Sequence, residues 1–204
     1  MGQYYKPTIL TKRNGIHGWW YSHECAQITE FPHGTFLMGS GLKLMEHSWR
    51  KNPFVSQVVE YLYNNPQRLV WAGDYAEPET KRKNNVYFRC ADNKKIAPKG
   101  IFKKVGDDEG IVCDEANLAI RYIVNHSKNQ YVDLNSLPKD KDGWQIHALP
   151  LLTAEGNGQG GGDYWGADQS TVGTWARDLI SSCSIAEDIP HGFKKISPKF
   201  KEKR

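Results

Sequence analysis

The 204 residues carry 27 Lys and Arg against 23 Asp and Glu, a formal charge of +4 with histidines neutral, and are 39% apolar, 25% charged and 12% aromatic. A chain of this length buries roughly 70% of the surface its unfolded form exposes, so it needs no staples, and its composition excludes the disordered, collagenous and membrane classes. It contains no run of about twenty apolar residues, residues 1–6 lack the apolar core of a signal peptide, and the small charge excess does not by itself mark a phosphate-binding surface. The expectation is a cytoplasmic protein with no membrane partner.

Residues 3–10, rich in Tyr, Thr and Ile, read as an opening strand that turns at Lys12-Arg13-Asn14-Gly15 into a second arm over residues 18–23, where Trp19, Trp20 and Tyr21 suit a half-buried sheet. Residues 31–34 and 39–41 read as loops. Leu42, Met45 and Trp49 fall at helical spacings and predict a short helix over residues 42–49. The firmest element is a helix over residues 53–64, with Asn52 as cap, Pro53 at the first position and an apolar stripe of Val55, Val58, Val59 and Leu62.

A strand at 68–72 runs into the turn Gly73-Asp74-Tyr75-Ala76, after which residues 77–85 read as a mobile polar loop. Residues 86–90 predict a strand and 101–105 its return. Residues 119–124 and 131–134 predict a hairpin with a longer loop, and residues 145–153 a further strand interrupted by Pro150. A last ordered element is expected around 174–181. Strands outnumber helices without regular alternation, which points to α+β with a mainly antiparallel sheet and a few short helices. Residues 1–193 are expected to form a single domain, and the basic residues 194–204 a flexible tail.

Cys25, Cys90, Cys113 and Cys183 lie far apart with no zinc spacing and read as reduced, buried thiols. Lysine and arginine gather at 81–83, at 94–104 and in the tail; these runs are either solvated faces or a nucleic-acid contact.

Five glycines between positions 156 and 162 are the most unusual feature, because each raises the backbone entropy that folding must overcome. Gly156, Gly158 and Gly161 match G-x-G-x-x-G, yet Gly162, Asp163 and Gly166 follow where a dinucleotide site requires a helix, and no Gly-Lys-Ser/Thr supplies a P-loop. The segment is either a tight irregular connection or a place where backbone amides meet a ligand. On the second reading Asp74, Glu155, Asn157, Gly160, Gly161, Asp163 and Asp178 are the candidate contacts to a small ligand or a protein partner.

The phrase W-A-x-D occurs at residues 71–74 and again at 175–178; if both lie beside the glycine segment, Asp74, Asp163 and Asp178 become candidate ligands of a divalent metal. His47 and His147 are the candidate general acids or bases, since imidazole titrates near neutral pH. These residues define an enzyme alternative, a metal-assisted hydrolase of a nucleotide or other phosphate-containing substrate. Nucleic-acid binding through the lysine clusters is a third reading. The sequence leaves the oligomeric state open.

Several phrases together, Met1-Gly2-Gln3-Tyr4-Tyr5, Gly41-Leu42-Lys43-Leu44-Met45-Glu46, Trp71-Ala72-Gly73-Asp74-Tyr75-Ala76, the run 155–163 and Val172-Gly173-Thr174-Trp175-Ala176, resemble a family of uncharacterised bacterial and phage proteins. The resemblance implies a phage-associated intracellular protein whose G-D-Y-A and glycine-rich turns belong to one surface. It carries no catalytic role to any residue. The leading expectation is therefore a binding or interaction protein that uses the glycine-rich acidic segment.

Overall fold

A computed structural model describes residues 4–20, 28–31, 34–37, 48–50, 52–79, 82–96, 103–104, 111–112, 119–139, 143, 145–156 and 171–198. The strands are β1 (Tyr5–Leu10), β2 (Ile16–Trp19), β3 (Ile28–Phe31), β4 (Gly34–Leu37), β5 (Gln67–Gly73), β6 (Lys103–Lys104), β7 (Ile111–Val112), β8 (Tyr122–Asn125), β9 (Gln130–Asp133), β10 (Ala154–Glu155), β11 (Leu179–Cys183) and β12 (Lys194–Lys195). The helices are α1 (Pro53–Tyr61), α2 (Val86–Arg89) and α3 (Ala148–Thr153). The expected α+β class with a mainly antiparallel sheet is what the structure shows.

Eight strands form one sheet in the order β12-β9-β8-β11-β5-β1-β2, with β10 also against β5. Among the described strands of this sheet, only the β10–β5 and β12–β9 pairs are parallel. Strand β5 organises the rest. One edge carries β1, with Tyr5 opposite Gly73 and Leu10 opposite Arg68. The other edge is shared: β11 pairs with Gln67 and Arg68, while β10 pairs with Trp71 and Ala72. The pairs β3–β4 and β6–β7 are separate two-stranded ladders.

Alternation along β5 explains its burial on both faces. Leu69 and Trp71 join the main core with Tyr5, Ile9, Ile123 and Ile180, covered by Phe54, Val55, Val58 and Leu62 of α1 and by Leu149, Leu151 and Leu152 of α3. Val70 and Ala72 face the other way and pack with Leu10, Trp19, Val86 and Cys90. Helix α1 forms as its sequence predicts, since the Asn52 side chain accepts from the Phe54 and Val55 amides. Gly18 is required for close approach: a Cβ there would lie 2.6 Å from Ile96 Cγ1.

Three expectations are corrected. Residues 86–90 are helical because Asn85 caps Phe88 N and because the buried pair is Val86 and Cys90, a four-residue helical spacing. Within 145–153 the chain forms α3, capped by His147, and Pro150 is tolerated because it lies in the first turn, where amides have no intrahelical acceptor. The return strand expected over 101–105 does not pair with 86–90: within it Lys103 and Lys104 pair with Val112 and Ile111. The ordered element expected around 174–181 consists of turns up to residue 177 and of β11 from Leu179.

The hairpin 122–133 agrees with the sequence pattern, and the first hairpin forms with its second arm at Ile16–Trp19 rather than over 18–23, of which residues 21–23 lie outside the described residues. Of the helix expected over 42–49, residues 42–47 lie outside the described residues, and Trp49 bridges Ile146. In the expected basic tail, Lys194 and Lys195 pair with Gln130 and Tyr131 at the sheet edge. Cys90 and Cys183 are buried free thiols. Among the described residues no helix is long and apolar enough to cross a membrane.

Candidate functional site

The site begins where β10 leaves β5. Glu155, opposite Ala72, is followed at once by the glycine-rich segment, and the chain returns through the turns at 171–177. That return is pinned to the core: Gly173 N donates to Leu151 O, Trp175 N to Leu152 O, and Arg177 N to Leu69 O, while Asp178 O accepts from Leu69 N. The described chain on either side of residues 157–170 is thereby held beside β5.

Arg177 joins them. Its backbone is left-handed, with φ 67°, a conformation that costs a non-glycine residue roughly 1–2 kcal/mol. Its carbonyl accepts from Arg68 Nε at 3.0 Å. Its guanidinium forks onto Glu155, Nε to Oε2 at 2.6 Å and Nη2 to Oε1 at 2.5 Å, and Nη1 reaches Glu79 Oε1 at 2.9 Å. The other Glu79 oxygen is bound by Arg89 Nη1, and Arg82 Nε lies 3.7 Å from it. Charges alternate along Arg89, Glu79, Arg177 and Glu155, so each largely buried ion has an opposite neighbour. Burial, followed by the nearby Arg177 charge, lowers the affinity of Arg89 for its proton.

This ladder forms the wall of a cleft of about 740 Å³ lined by Arg13, Asn14, Glu77, Pro78, Glu79, Arg82, Glu155 and Arg177. Three arginines and three glutamates therefore face one volume, of a size suited to a small ligand. The segment read as a mobile loop contributes Glu77, Glu79 and Arg82. It is anchored at its base, where the Asn85 amide donates to the carbonyls of Asp74 and Ala76.

Of the residues proposed from sequence, Glu155 lies in this cleft. Asp74 and Asp178 do not come together. Asp74 Oδ1 accepts from Tyr4 N at the Gly73 end of β5. Asp178 sits beside Leu69, where Oδ2 accepts from Asn125 and pairs with Lys128 Nζ at 3.2 Å. Five residues of extended strand, about 16 Å, separate Leu69 from Asp74. The two W-A-x-D phrases also differ in shape, one ending a strand and the other a turn. Among the described residues no group of three His, Cys, Asp or Glu is placed to hold a metal ion.

His147 is buried as the cap of α3, with Nδ1 accepting from Leu149 N at 3.2 Å. Burial, with a smaller contribution from Arg50, pushes its pKa down to about 3, which keeps the ring neutral and its lone pair committed. His47, Asn157, Gly160, Gly161 and Asp163 lie outside the described residues.

No family model, curated protein or solved structure matches the chain. The site therefore rests on its own geometry. Sequence reading missed Arg177, Glu79 and Arg89 because ionic partners 22 and 98 residues apart leave no local pattern. The available signal was an arginine in the variable position of W-A-x-D, just after a glycine-rich return.

Proposed function

We propose that the protein is an intracellular, phage-associated binding protein that holds a small polar ligand in the Glu155–Arg177 cleft, drawing on the glycine-rich sequence that follows Glu155 in the chain. The observation that carries this reading is the Arg177 fork. An arginine held in a left-handed turn, with three of its five N–H donors on two carboxylates, gives the cleft a fixed wall of alternating charge between Glu155, just before residues 157–170, and the turns at 171–177 that follow them. Such a wall suits a ligand that both donates and accepts hydrogen bonds.

Native mass spectrometry of the protein gently purified from a bacterial host, compared with its denatured mass, tests the reading. The expected result is a reproducible small added mass that is lost in Glu155→Gln and in Asp163→Ala. A bare native mass for the parent protein, or an added mass that persists in Glu155→Gln, overturns it.

A further inference from the structure

Arg82 also lines a second pocket, of about 590 Å³, whose other lining residues are Gly15, Ile16, Lys83, Asn84, Arg89, Asp92 and Asn93. Three cations face one carboxylate there, with two carboxamides beside them. The cations differ in what they already hold. Arg89 is spent on Glu79 and on Asn14 O. Among the described residues Lys83 has no ion-pair partner, and Arg82 touches only Glu79, through Nε, leaving both terminal nitrogens of its fork uncommitted.

The frame that presents them is fixed. Arg82 N donates to Glu79 O at 2.8 Å on one side of this turn, and Asn85 ties down the other side through the carbonyls of Asp74 and Ala76. The facing wall is equally held, since Asn93 Nδ2 donates to Arg89 O at 2.7 Å and Asn93 O accepts from Trp19 Nε1 at 3.1 Å. The uncommitted fork and ammonium therefore project from ordered backbone and need little reorganisation to meet an anion.

We propose that this pocket binds the phosphoryl group of a small phosphorylated molecule whose remainder occupies the adjoining Glu155–Arg177 cleft. The proposal rests on the cleft being a ligand site and names the chemical class of that ligand. With Arg89 neutralised by Glu79, Arg82 and Lys83 leave an excess of one positive charge over Asp92, and their uncommitted donors outnumber what the two oxygens of a carboxylate take up, whereas a phosphomonoester offers three. Arg82 supplies parallel donors for two phosphoryl oxygens, Lys83 a point charge, and the amides of Asn84 and Asn93 further donors. Arg82, shared by both pockets, places the anion next to the polar cleft.

The test is calorimetric titration of the full chain with inorganic phosphate, with acetate and with a ten-residue thymidine oligonucleotide. Phosphate should bind saturably, roughly tenfold more weakly in Arg82→Gln and in Lys83→Gln, and unchanged in Lys194→Gln at the opposite sheet edge. Acetate should bind at least tenfold more weakly than phosphate. Absence of saturable phosphate binding, equal binding of acetate, or indifference to both substitutions overturns the proposal. Oligonucleotide binding that is tighter than phosphate, steeply salt-dependent and weakened by Lys83→Gln also overturns it, assigning the pocket to a nucleic-acid backbone. If Arg82→Gln lowers the melting temperature, Lys83→Gln, which disturbs no ion pair, decides. Loss of phosphate binding alone, with the Glu155-dependent added mass retained, refutes the phosphoryl site and leaves the cleft reading intact; the reverse outcome refutes the cleft reading.

Discussion

Arg177 concentrates the physics of the site in one residue. Its backbone occupies a region that disfavours any side chain, yet its guanidinium is the sole link between Glu79 and Glu155 among the described contacts. Backbone cost and side-chain gain can be separated by substitution. Arg177→Ala should lose about 2–3 kcal/mol of stability in urea denaturation, below the range for a fully buried pair because the side chain is 24% exposed. Arg177→Gly removes the same guanidinium but tolerates φ 67°, so it should be more stable than Arg177→Ala by about 1 kcal/mol. Equal destabilisation by the two substitutions would contradict a left-handed backbone at this position. Arg177→Lys keeps the charge and loses the fork, and should fall between the parent and Arg177→Ala.

At the scale of elements, Asn85 shows how a short helix becomes part of the site. Its Oδ1 caps Phe88 N at 3.2 Å while its Nδ2 donates to Asp74 O at 3.0 Å and Ala76 O at 2.8 Å. Removing it strands two carbonyls and one amide, so Asn85→Ala should cost about 2–3 kcal/mol. Because the same bonds fix the turn that carries Arg82 and Lys83, phosphate affinity should fall with it, whereas Asn65→Ala at an exposed turn should leave affinity unchanged. Asn85 also shows where sequence reading ends. The strand β5, the hairpins and α1 were legible because their signals are local: alternation, Asn-Gly, an Asn-Pro start. Residues 86–90 carry Val, Tyr and Phe, which favour strand locally, and became helical through a cap whose remaining bonds reach back nine and eleven residues. Glu155 was legible from its place before the glycines; its partners were not, because tertiary pairing selected them.

For the whole molecule, one sheet covered on both faces makes stability a shared property, and its response to acid traces to groups far from the cleft. His147 is held near pKa 3 by burial, against an ordinary value of 6.5. The unfolded chain therefore binds more protons than the folded one between these values, so this contribution is fully present above pH 6.5 and is lost as pH falls towards 3, at a limiting slope of about 1.4 kcal/mol per pH unit. Asp133 acts lower. Its hydrogen bonds from Arg121 hold its carboxyl down at about 2, against 3.8, so its contribution is present above pH 3.8 and is lost as pH falls through 2. The two windows separate the residues. His147→Asn retains a side-chain oxygen to cap Leu149 N but cannot be protonated, so its stability at neutral pH should be near that of the parent while its slope between pH 6 and 4 flattens. Asp133→Asn should keep that slope and flatten the decline below pH 4. Urea denaturation at half-unit pH intervals measures both. An unchanged slope in His147→Asn would show that the ring is not buried neutral beneath α3, and the packing of that helix against β5, on which the position of Glu155 depends, would fall with it.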